Sequence, residues 1–600
     1  MSEDFLDSSD SVRSGAPLKH VQYATFNEPL KLELGGQLEQ VSAAYETYGQ
    51  LNAKGDNAIL ICHAISGDSH VAAHDDQDDV GWWDIVVGPG KPIDTRKYFV
   101  VCPNILGGCR GTTGPNSTNP ATGKPYGRDF PTITTGDMVE VHRRLVDYLR
   151  IGKLLAVTGG SMGGHQVLCW ATRFPDRVCG AIPLATSPRL TSQALAFDVV
   201  GRNAILRDPS FRGGQYYENG SGPTVGLAIA RMLGHITYLS RGAMKEKFEA
   251  DRLRPRDVGT EFEKRFSVGS YLAYQGEKFV ERFDANSYIA LSLAMDLFDL
   301  GATPEELQAA FHPCTCRWLV ISFTSDWLFP PDQSREIVNA LIAGNKPVIY
   351  CNVASNCGHD AFLLPNDLAV YGGFIRAFLA NLDGTGFSLQ AAESPDRHSP
   401  TSIFHRRLDY DRIVELIAPF TSVLDLGCGR GGLLSRLKAR GHPFTMGIEL
   451  DEKAILTCVS RGLDVVQADL NEGLSAFADR QFDFVVLSQT LQAVRDVEGI
   501  IGEMLRVGRR CVVSFPNFAY RKLRNMLAEQ GRAPETSGLL RYKWYNTPNI
   551  RFFTIADFED FCREKQIKVH RLIALDTEAG TEIATDPNTN ADLAIFVISK

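Results

Sequence analysis

The stretch KLLAVTGGSMGGHQVLCWATRF, residues 153–174, decides the fold of the larger part of this chain. It begins with a continuous apolar run, passes through glycines on both sides of Ser161, and continues with helical spacing. A strand, a G-x-S-x-G turn and a helix in this order form a nucleophile elbow, which projects the serine hydroxyl above a parallel sheet. The pattern therefore predicts a nucleophile at Ser161. The alternative is a glycine-rich turn that serves only close packing.

Apolar runs and helical patterns alternate on both sides of this stretch. AILICH (58–63) and KYFVVCP (97–103) precede it, and RWLVISF (317–323) and PVIYCNV (347–353) follow it. Near-continuous apolar strands separated by helices indicate a parallel sheet with both faces covered, so the predicted fold class is α/β. The segment from about 190 to 310 has helical spacing and lies between two strands, which predicts a helical lid inserted over the sheet edge.

A serine nucleophile needs a general base that is oriented by an acid, in the chain order Ser, Asp, His. Asp326 and His359 each follow one of these apolar runs, at the strand ends where α/β sheets place their sites. We therefore predict Ser161, Asp326 and His359 as a catalytic triad. Taken alone, Asp326 is also compatible with a helix cap, and His359 with a buried structural histidine.

The oxyanion of an acyl-transfer intermediate requires two N–H donors. One donor is the residue after the nucleophile, which is Met162. The second is predicted in the loop after an early strand, where His63-Ala64-Ile65 stands at the place of the histidine–glycine motif of lipases. The sequence therefore predicts an oxyanion hole formed by the backbone N–H groups of Ile65 and Met162.

The bulk composition bounds the remaining classes. The chain has 600 residues, a net charge of −9 and thirteen cysteines, and its sequence pI is near 5.9. This length exceeds one core, and the acidic balance argues against nucleic-acid or anionic-membrane partners. No apolar stretch predicts a membrane span, and the start of the chain is too polar for a signal peptide. We expect reduced thiols, no metal and a cytoplasmic location; a disulfide framework or a zinc site is the alternative.

A second alternation of strands and helices begins near residue 405. The stretch from 382 to 404 is polar and rich in Gly, Ser and Pro, which indicates a linker. The predicted organisation is a disordered N-terminus (1–19), an α/β domain (20–381), a linker (382–404) and a Rossmann-type domain (405–600).

The second α/β domain opens with a glycine loop between a strand and a helix. In LDLGCGRGG, Asp425, Gly427 and Gly429 stand where a backbone approaches a ligand at a helix N-terminus. Glu449 ends the next strand, in the position of an acid that binds ribose hydroxyls, and Asp469 follows the third strand. These residues predict a cofactor site; a Rossmann fold that has lost its ligand is the alternative.

The first domain resembles the homoserine O-acyltransferase (MetX) family, an α/β-hydrolase fold. The matching stretches, AAYETYGQLN, CHAISGDSH, GGSMGG, ARMLGHITYLS, TSDWLFPP and NCGHDAF, span nearly all of residues 20–380. The resemblance implies ping-pong transfer of an acyl group from acyl-CoA to L-homoserine by a homodimer. It also implies that Arg231 and Asp360 bind homoserine and that Tyr238 lines the pocket. An arginine fork suits the carboxylate of homoserine, and an acid suits its ammonium. A solvated helix charge is the alternative for Arg231.

The acyl donor is predicted to be acetyl-CoA. Family members that use succinyl-CoA tend to carry an arginine two residues after the catalytic acid, whereas this chain has Leu328 there. A succinyl carboxylate buried without a cation would be costly. Arg335 and Lys346 are nearby in sequence but are more typical of surface charges. The alternatives are a homoserine O-succinyltransferase and an esterase, because the triad accepts water as well as an alcohol.

The second domain resembles the MetW family over about 405–565, through LDLGCG, IELD, QTLQAV, SFPNFAYRKLR and YNTPNIRFFT. The glycine loop also resembles the first motif of class I methyltransferases. This resemblance implies that the domain holds S-adenosylmethionine and that Asp469 contacts the adenine. The domain is then either a methyltransferase or a module that senses S-adenosylmethionine for its fused partner.

Overall fold

The computed structural model describes residues 18–220, 222–249, 266–386, 408–534, 544–547 and 549–600. The chain divides into two compact units, Met1–Gly384 and Thr385–Lys600. This division falls inside the predicted linker, and the part of the linker from 387 onward lies outside the described residues, as do residues 1–17 of the predicted N-terminal segment.

The first unit is built on a sheet whose strands have the order β1-β4-β8-β5-β9-β10-β11-β12. The strands from β8 to β12 in this order are parallel, and β4 pairs antiparallel with both β1 and β8. The pairs β2–β3 and β6–β7 form two separate two-stranded sheets. The strands are β1 Gln22–Phe26, β2 Leu30–Lys31, β3 Gln37–Leu38, β4 Val41–Tyr48, β5 Ala58–Ile61, β6 Val87–Gly88, β7 Ile93–Asp94, β8 Phe99–Pro103, β9 Leu154–Gly160, β10 Val178–Leu184, β11 Arg317–Phe323 and β12 Val348–Val353.

The helices of the first unit fall into a sheet layer and a lid. Helices α2 and α10 pack on β9 and β10, and α8 and α9 pack on each other. Helices α3 to α7 lie between β10 and β11 in the chain, where α3 packs on α4 and α7, and α4 packs on α6. The helices are α1 Thr135–Tyr148, α2 Met162–Arg173, α3 Ser192–Leu206, α4 Thr224–Tyr238, α5 Arg241–Phe248, α6 Ser267–Val280, α7 Ala285–Asp296, α8 Pro304–Phe311, α9 Pro331–Ala343 and α10 Leu368–Leu382.

The turn between β9 and α2 is strained and tightly enclosed. Ser161 has φ 59° and ψ −126°, a backbone conformation that residues other than glycine rarely adopt. Behind it, the chain after β5 passes so close that a Cβ added at Gly163 would lie 2.1 Å from the carbonyl oxygen of Cys62. The predicted elbow is therefore present, and its glycine at 163 is required by this close approach.

The second unit is a Rossmann-type sheet with the order β15-β14-β13-β16-β17-β20-β18-β19. The strands from β15 to β17 in this order are parallel, and β20 enters antiparallel between β17 and β18. The strands are β13 Val423–Leu426, β14 Thr445–Glu449, β15 Asp464–Gln467, β16 Phe482–Ser488, β17 Gly508–Pro516, β18 Lys568–Asp576, β19 Thr581–Glu582 and β20 Leu593–Ser599. The helices are α11 Leu408–Leu416, α12 Gly432–Ala439, α13 Glu452–Ser460, α14 Val497–Val507, α15 Arg521–Gln530, α16 Ile555–Glu564 and α17 Pro587–Asn590.

The predicted fold class, an α/β-hydrolase domain with a helical lid followed by a methyltransferase-like Rossmann domain, is confirmed. Strand order reverses between β13 and β16, and such a switch point is where open α/β sheets bind ligands. All thirteen cysteines lie among the described residues, and they are free thiols. In the parts of the chain that the structure describes, no helix has the length and apolar character to cross a membrane.

Replacing Gly163 with alanine is expected to destabilise the first unit by roughly 1–3 kcal/mol, because the added methyl group overlaps the Cys62 carbonyl. Chemical denaturation measures this change. Gly152→Ala is the matched control, since a Cβ there meets nothing within 4 Å and should shift the free energy of unfolding by less than about 0.5 kcal/mol. Equal stability of the two variants would contradict the required close approach.

Candidate active site

The loops after β11 and β12 bring an acid and a histidine together. The His359 Nδ1 atom donates a hydrogen bond of 2.8 Å to the Asp326 Oδ2 atom, and both side chains are buried. The second oxygen of Asp326 accepts hydrogen bonds from the backbone N–H groups of Leu328 and Phe329 at 3.0 and 2.9 Å. The N–H of Gly358 donates to the Ser325 hydroxyl, which joins the two loops. Asp326 therefore orients His359 through a rigid support.

The charge environment prepares His359 to accept a proton. Burial lowers the pKa of its imidazole, but the carboxylates of Asp326 and Asp360 outweigh this effect, so the net pKa is raised above its ordinary value. The Phe329 ring stacks on the imidazole with 5.1 Å between the ring centroids. A more basic imidazole, fixed at Nδ1, presents Nε2 for proton transfer.

Ser161 opens into a pocket under the lid. Side chains of α3, α4 and α7 form most of its wall, together with Ile65 from the loop after β5 and Leu328 and Phe329 from the loop after β11. Tyr238 at the end of α4 also lines it, and its ring centroid lies 6.0 Å from that of His359. The serine, the support of the histidine and the lid thus share one cavity.

The two residues predicted as oxyanion donors lie on neighbouring segments. Met162 is the first residue of α2, where a backbone N–H is not used inside the helix. Ile65 lines the pocket two residues after His63, whose Nε2 atom accepts a hydrogen bond from the Ile105 N–H. The buried Gln166 amide donates to the carbonyl oxygens of both His63 and Met162, at 3.1 and 3.3 Å.

Gln166 was missed by the sequence analysis, although it ties the two halves of the predicted oxyanion hole together. A polar residue four positions after Met162 in an otherwise apolar helical run was the only signal.

The predicted homoserine ligands lie on α4 and in the segment that carries His359. Arg231 is buried on α4, with its guanidinium 4.7 Å from the Phe279 ring centroid and 5.8 Å from that of Tyr238. A solvated helix charge, the alternative for Arg231, is therefore excluded. Asp360 is half-buried next to His359 in a short 3-10 helix, Gly358–Leu363. Of the two, Asp360 acts directly on the histidine, as a carboxylate that raises its pKa.

The lid is tied to the acid loop. The indole N–H of Trp327, next to Asp326, donates a hydrogen bond of 3.0 Å to the carbonyl oxygen of Leu239, which follows α4. The Trp327 ring also meets Phe197 of α3 edge to face. The end of helix α4 and the loop that carries the acid are therefore held to each other.

The pocket wall contains Leu328 and has little charge. No lysine or arginine is among the described residues that line it, and the only ionisable carboxyl is Asp198 of α3. Lys346 instead donates to the carbonyl oxygens of His312 and Cys314, and Arg335 interacts with Tyr350. Neither of the two nearby cations considered from the sequence belongs to the pocket wall.

A cluster of histidines and acids lies beside β4. Potential metal-ligand atoms lie within 4.8 Å of one another in two overlapping groups: His20, His74 and Asp78, and Glu46, His70 and His74. The His20 and His74 rings, however, stack with centroids 4.2 Å apart, and His74 also stacks on Tyr48. The Glu46 carboxylate accepts hydrogen bonds from the Tyr48 hydroxyl and from His70 of the loop after β5. The cluster therefore braces the loop that follows β5.

In the second unit the glycine loop lies at the switch point of the sheet. Gly427 and Gly429 have φ values of 68° and 54°, and a Cβ added at Gly429 would meet nothing within 4 Å. Glu449 at the end of β14 accepts hydrogen bonds from the N–H groups of Gly429, Leu450 and Asp451, at 2.7, 2.8 and 3.0 Å. Glu449 therefore shapes the loop, and a carboxylate retains acceptor capacity beyond three bonds.

The remaining predicted cofactor residues lie at the same sheet edge. Asp425 is buried in β13, and Asp469 follows β15, where its carboxylate caps a short 3-10 helix by accepting the Asn471 N–H at 2.9 Å. The N-terminus of α12 follows the glycine loop directly. An open glycine cradle, a helix N-terminus and an acid fit a nucleoside ligand such as S-adenosylmethionine.

Comparison with known proteins covers both units. Residues 407–598 match the family model "Methionine biosynthesis protein MetW", and residues 57–365 match "alpha/beta hydrolase fold". The "Bifunctional methionine biosynthesis protein MetXA/MetW" of Rhodopirellula baltica is 51% identical over 100% of this chain and 96% of its own. A homoserine O-succinyltransferase of Halothiobacillus neapolitanus is 51% identical over 60% of this chain and 89% of its own. A homoserine O-acetyltransferase of Methanohalobium evestigatum is 53% identical over 57% of this chain and 70% of its own.

Solved structures resemble the first unit. Esterase E22 has a TM-score of 0.55 at 29% identity, covering 60% of this chain and 100% of its own. The homoserine O-acetyltransferase of Bacillus anthracis has a TM-score of 0.53 at 30% identity, covering 60% of this chain and 98% of its own. The chain therefore belongs to the family of bifunctional methionine biosynthesis proteins, in which a homoserine O-acyltransferase of the MetX type precedes a MetW domain.

Proposed function

We propose that the first unit transfers an acetyl group from acetyl-CoA to L-homoserine, giving O-acetyl-L-homoserine and CoA. The observation that carries the choice of donor is the pocket that Ser161 shares with Leu328, whose described wall residues include no cation. A succinyl carboxylate would be desolvated there without a partner, which is costly. Relatives of similar identity carry either the acetyl or the succinyl name, so the pocket wall is the better guide.

In the first half-reaction, His359 Nε2 takes the proton of the Ser161 hydroxyl while the oxygen attacks the thioester carbonyl carbon. The oxyanion is held by the N–H groups of Ile65 and Met162. The C–S bond then breaks, the CoA sulfur takes the proton from His359, and an acetyl ester remains on Ser161. Asp326 stabilises the imidazolium through the bond to Nδ1.

In the second half-reaction, His359 deprotonates the hydroxyl of homoserine, which attacks the acetyl ester. Arg231 pairs with the carboxylate of homoserine, and Asp360 pairs with its ammonium. Because Asp360 adjoins His359 in the chain, the bound ammonium positions the hydroxyl near the base. The proton returns to the Ser161 oxygen as the ester bond to the enzyme breaks.

An esterase is the second candidate, because esterase E22 shares this fold at 29% identity. Water and an alcohol compete for the same acyl-serine. The buried Arg231 and the adjacent Asp360 favour the transferase, since an esterase on neutral substrates has no need of a charged acceptor pair.

For the second unit we propose S-adenosylmethionine binding at the glycine loop. Gly427 and Gly429 provide a close backbone approach, Glu449 offers an acceptor for the ribose hydroxyls, and Asp425 and Asp469 complete the edge. Transfer of a methyl group to a small-molecule acceptor would make the domain a methyltransferase; binding without transfer would make it a sensor.

We further propose a homodimer in the cytoplasm. Apolar side chains are exposed in series on the lid, including Val199 and Val200 of α3 and Val225, Ile229 and Ile236 of α4. Contiguous exposed apolar surface marks interaction sites. The free thiols suit a reducing compartment.

Mixing the protein with acetyl-CoA alone should leave one acetyl group on Ser161, which intact mass measurement detects. Ser161→Ala should remove the adduct and reduce homoserine acetylation by roughly 10⁴-fold or more, because the nucleophile is lost.

The ratio of kcat/KM for acetyl-CoA over succinyl-CoA should exceed one, and Leu328→Arg should shift it toward succinyl. Sequential kinetics without an adduct would contradict the ping-pong step, and a wild-type preference for succinyl-CoA would contradict the donor assignment.

The Asp360→Asn variant should raise KM for homoserine by about ten- to hundredfold, because a charged hydrogen bond is lost. It should also move the acidic limb of the pH–rate profile to lower pH. The base works only when unprotonated, and Asp360 helps to raise the pKa of His359, so removing that charge lowers it. The exposed Asp332→Asn is the control and should change neither quantity. An unchanged homoserine KM in Asp360→Asn would refute the ammonium role.

Isothermal titration calorimetry should detect S-adenosylmethionine binding to the full chain. Gly429→Ala should weaken it by about tenfold or more, because a methyl group enters the cradle. Gly441→Ala is the matched control: its φ is also positive, 81°, and its Cβ also meets nothing within 4 Å, so it carries the same backbone strain outside the loop. Absence of binding to the wild-type protein would favour a fold that has lost its ligand.

A further inference from the structure

Two carboxyl groups of the lid lie together beside the acyl pocket. Asp198 of α3 and Asp296 at the end of α7 interact directly with each other. Arg202, one turn after Asp198, donates hydrogen bonds to Asp296 Oδ2 and to the Ser292 hydroxyl. The cluster therefore contains two acids and one arginine, and the arginine is directed to Asp296.

The contact between these two acids requires a proton, because two ionised carboxylates have no hydrogen to share. Asp198 Oδ2 and Asp296 Oδ1 are both buried, and neither accepts a hydrogen bond from a described residue. Two adjacent buried carboxylates cannot both ionise cheaply, and a proton shared between these oxygens satisfies both atoms. Burial, followed by the hydrogen bond and the charge of Asp296, raises the pKa of Asp198 to about 8, while Arg202 opposes the shift. With one proton and one arginine, the cluster of two acids carries no net charge.

Asp198 is the member of this cluster that faces the acyl site. It lines the pocket together with Ser161 and Leu328, whereas Asp296 and Arg202 are not among the lining residues. The same wall contains the apolar residues Leu190, Ala194 and Leu233 and also the phenol of Tyr288, which interacts electrostatically with Asp198. A short uncharged acyl group can fill such a pocket without disturbing the shared proton.

We propose that Asp198 is a specificity-determining residue that excludes acyl groups bearing a second carboxylate. The inference rests on the proposed acetyl transfer and deepens it. A succinyl carboxylate entering this pocket would bring a third acid beside a pair whose single proton and single arginine are already committed. Desolvating that anion without a new cation or proton is unfavourable, so the cluster rejects succinyl while leaving acetyl unaffected.

The same features argue against a role for Asp198 in holding the ammonium of homoserine. A carboxyl that shares a proton attracts a cation weakly compared with an ionised one. Asp360, by contrast, acts on His359 as a negative charge, since it raises the pKa of that imidazole. Asp360 is therefore the acid that binds the ammonium of homoserine, and Asp198 faces the acyl group.

The test compares Asp198→Asn with Asp296→Asn in the full chain. An asparagine at 198 keeps the shape and donates its amide N–H to Asp296 Oδ1, so the lid should remain folded, which thermal melting checks. The ratio of kcat/KM for succinyl-CoA over acetyl-CoA should rise about tenfold or more in Asp198→Asn, because the amide has a second N–H for the succinyl carboxylate, whereas the single proton of Asp198 is committed to Asp296. Asp296→Asn removes an acid from the same cluster but leaves Asp198 facing the pocket, so its ratio should stay at or below that of the wild type.

An unchanged ratio in Asp198→Asn would overturn the inference, as would an equal rise in both variants, which would indicate a general loosening of the lid. A higher KM for homoserine with an unchanged donor ratio would also overturn it and assign Asp198 to the acceptor. Failure of the proposed function is distinguishable, because it appears in the wild-type enzyme alone as a preference for succinyl-CoA.

Discussion

Ser161 occupies a backbone conformation that the chain can hold only where neighbouring segments leave no alternative, and the arrangement of the first unit follows from this constraint. The turn has φ 59°, and the chain after β5 presses against it at Gly163. This contact brings the loop of Ile65 beside the start of α2, and Gln166 fixes both segments with one amide. Strain at the nucleophile is therefore supported by the same contacts that place the oxyanion donors.

The sequence predicted the parts of the site that follow a repeating rule. Parallel strands end at one edge, so residues directly after apolar runs converge, and this located Asp326 and His359. Their hydrogen bond is consistent with the predicted pairing, and the family pattern agrees with it. Arg231 obeyed no such rule: helical spacing alone left a solvated charge open, and only the packing over Phe279 buries it.

The features that escaped the sequence depend on pairings between distant helices. Asp198 and Asp296 each look like ordinary helix-surface acids, and nothing in their spacing shows that α3 packs on α7. In the second unit, Glu449 was predicted as a ribose acid, yet three backbone N–H groups also converge on it. Such roles arise from the close approach of segments, which the local pattern does not encode.

The hydrogen bond from the Trp327 indole to the Leu239 carbonyl couples the lid to catalysis mechanically. Trp327 follows Asp326 directly, so a displacement of the end of α4 pulls on the loop that orients the general base. The alignment of the acid, and through it of the imidazole, therefore depends on where the end of α4 lies.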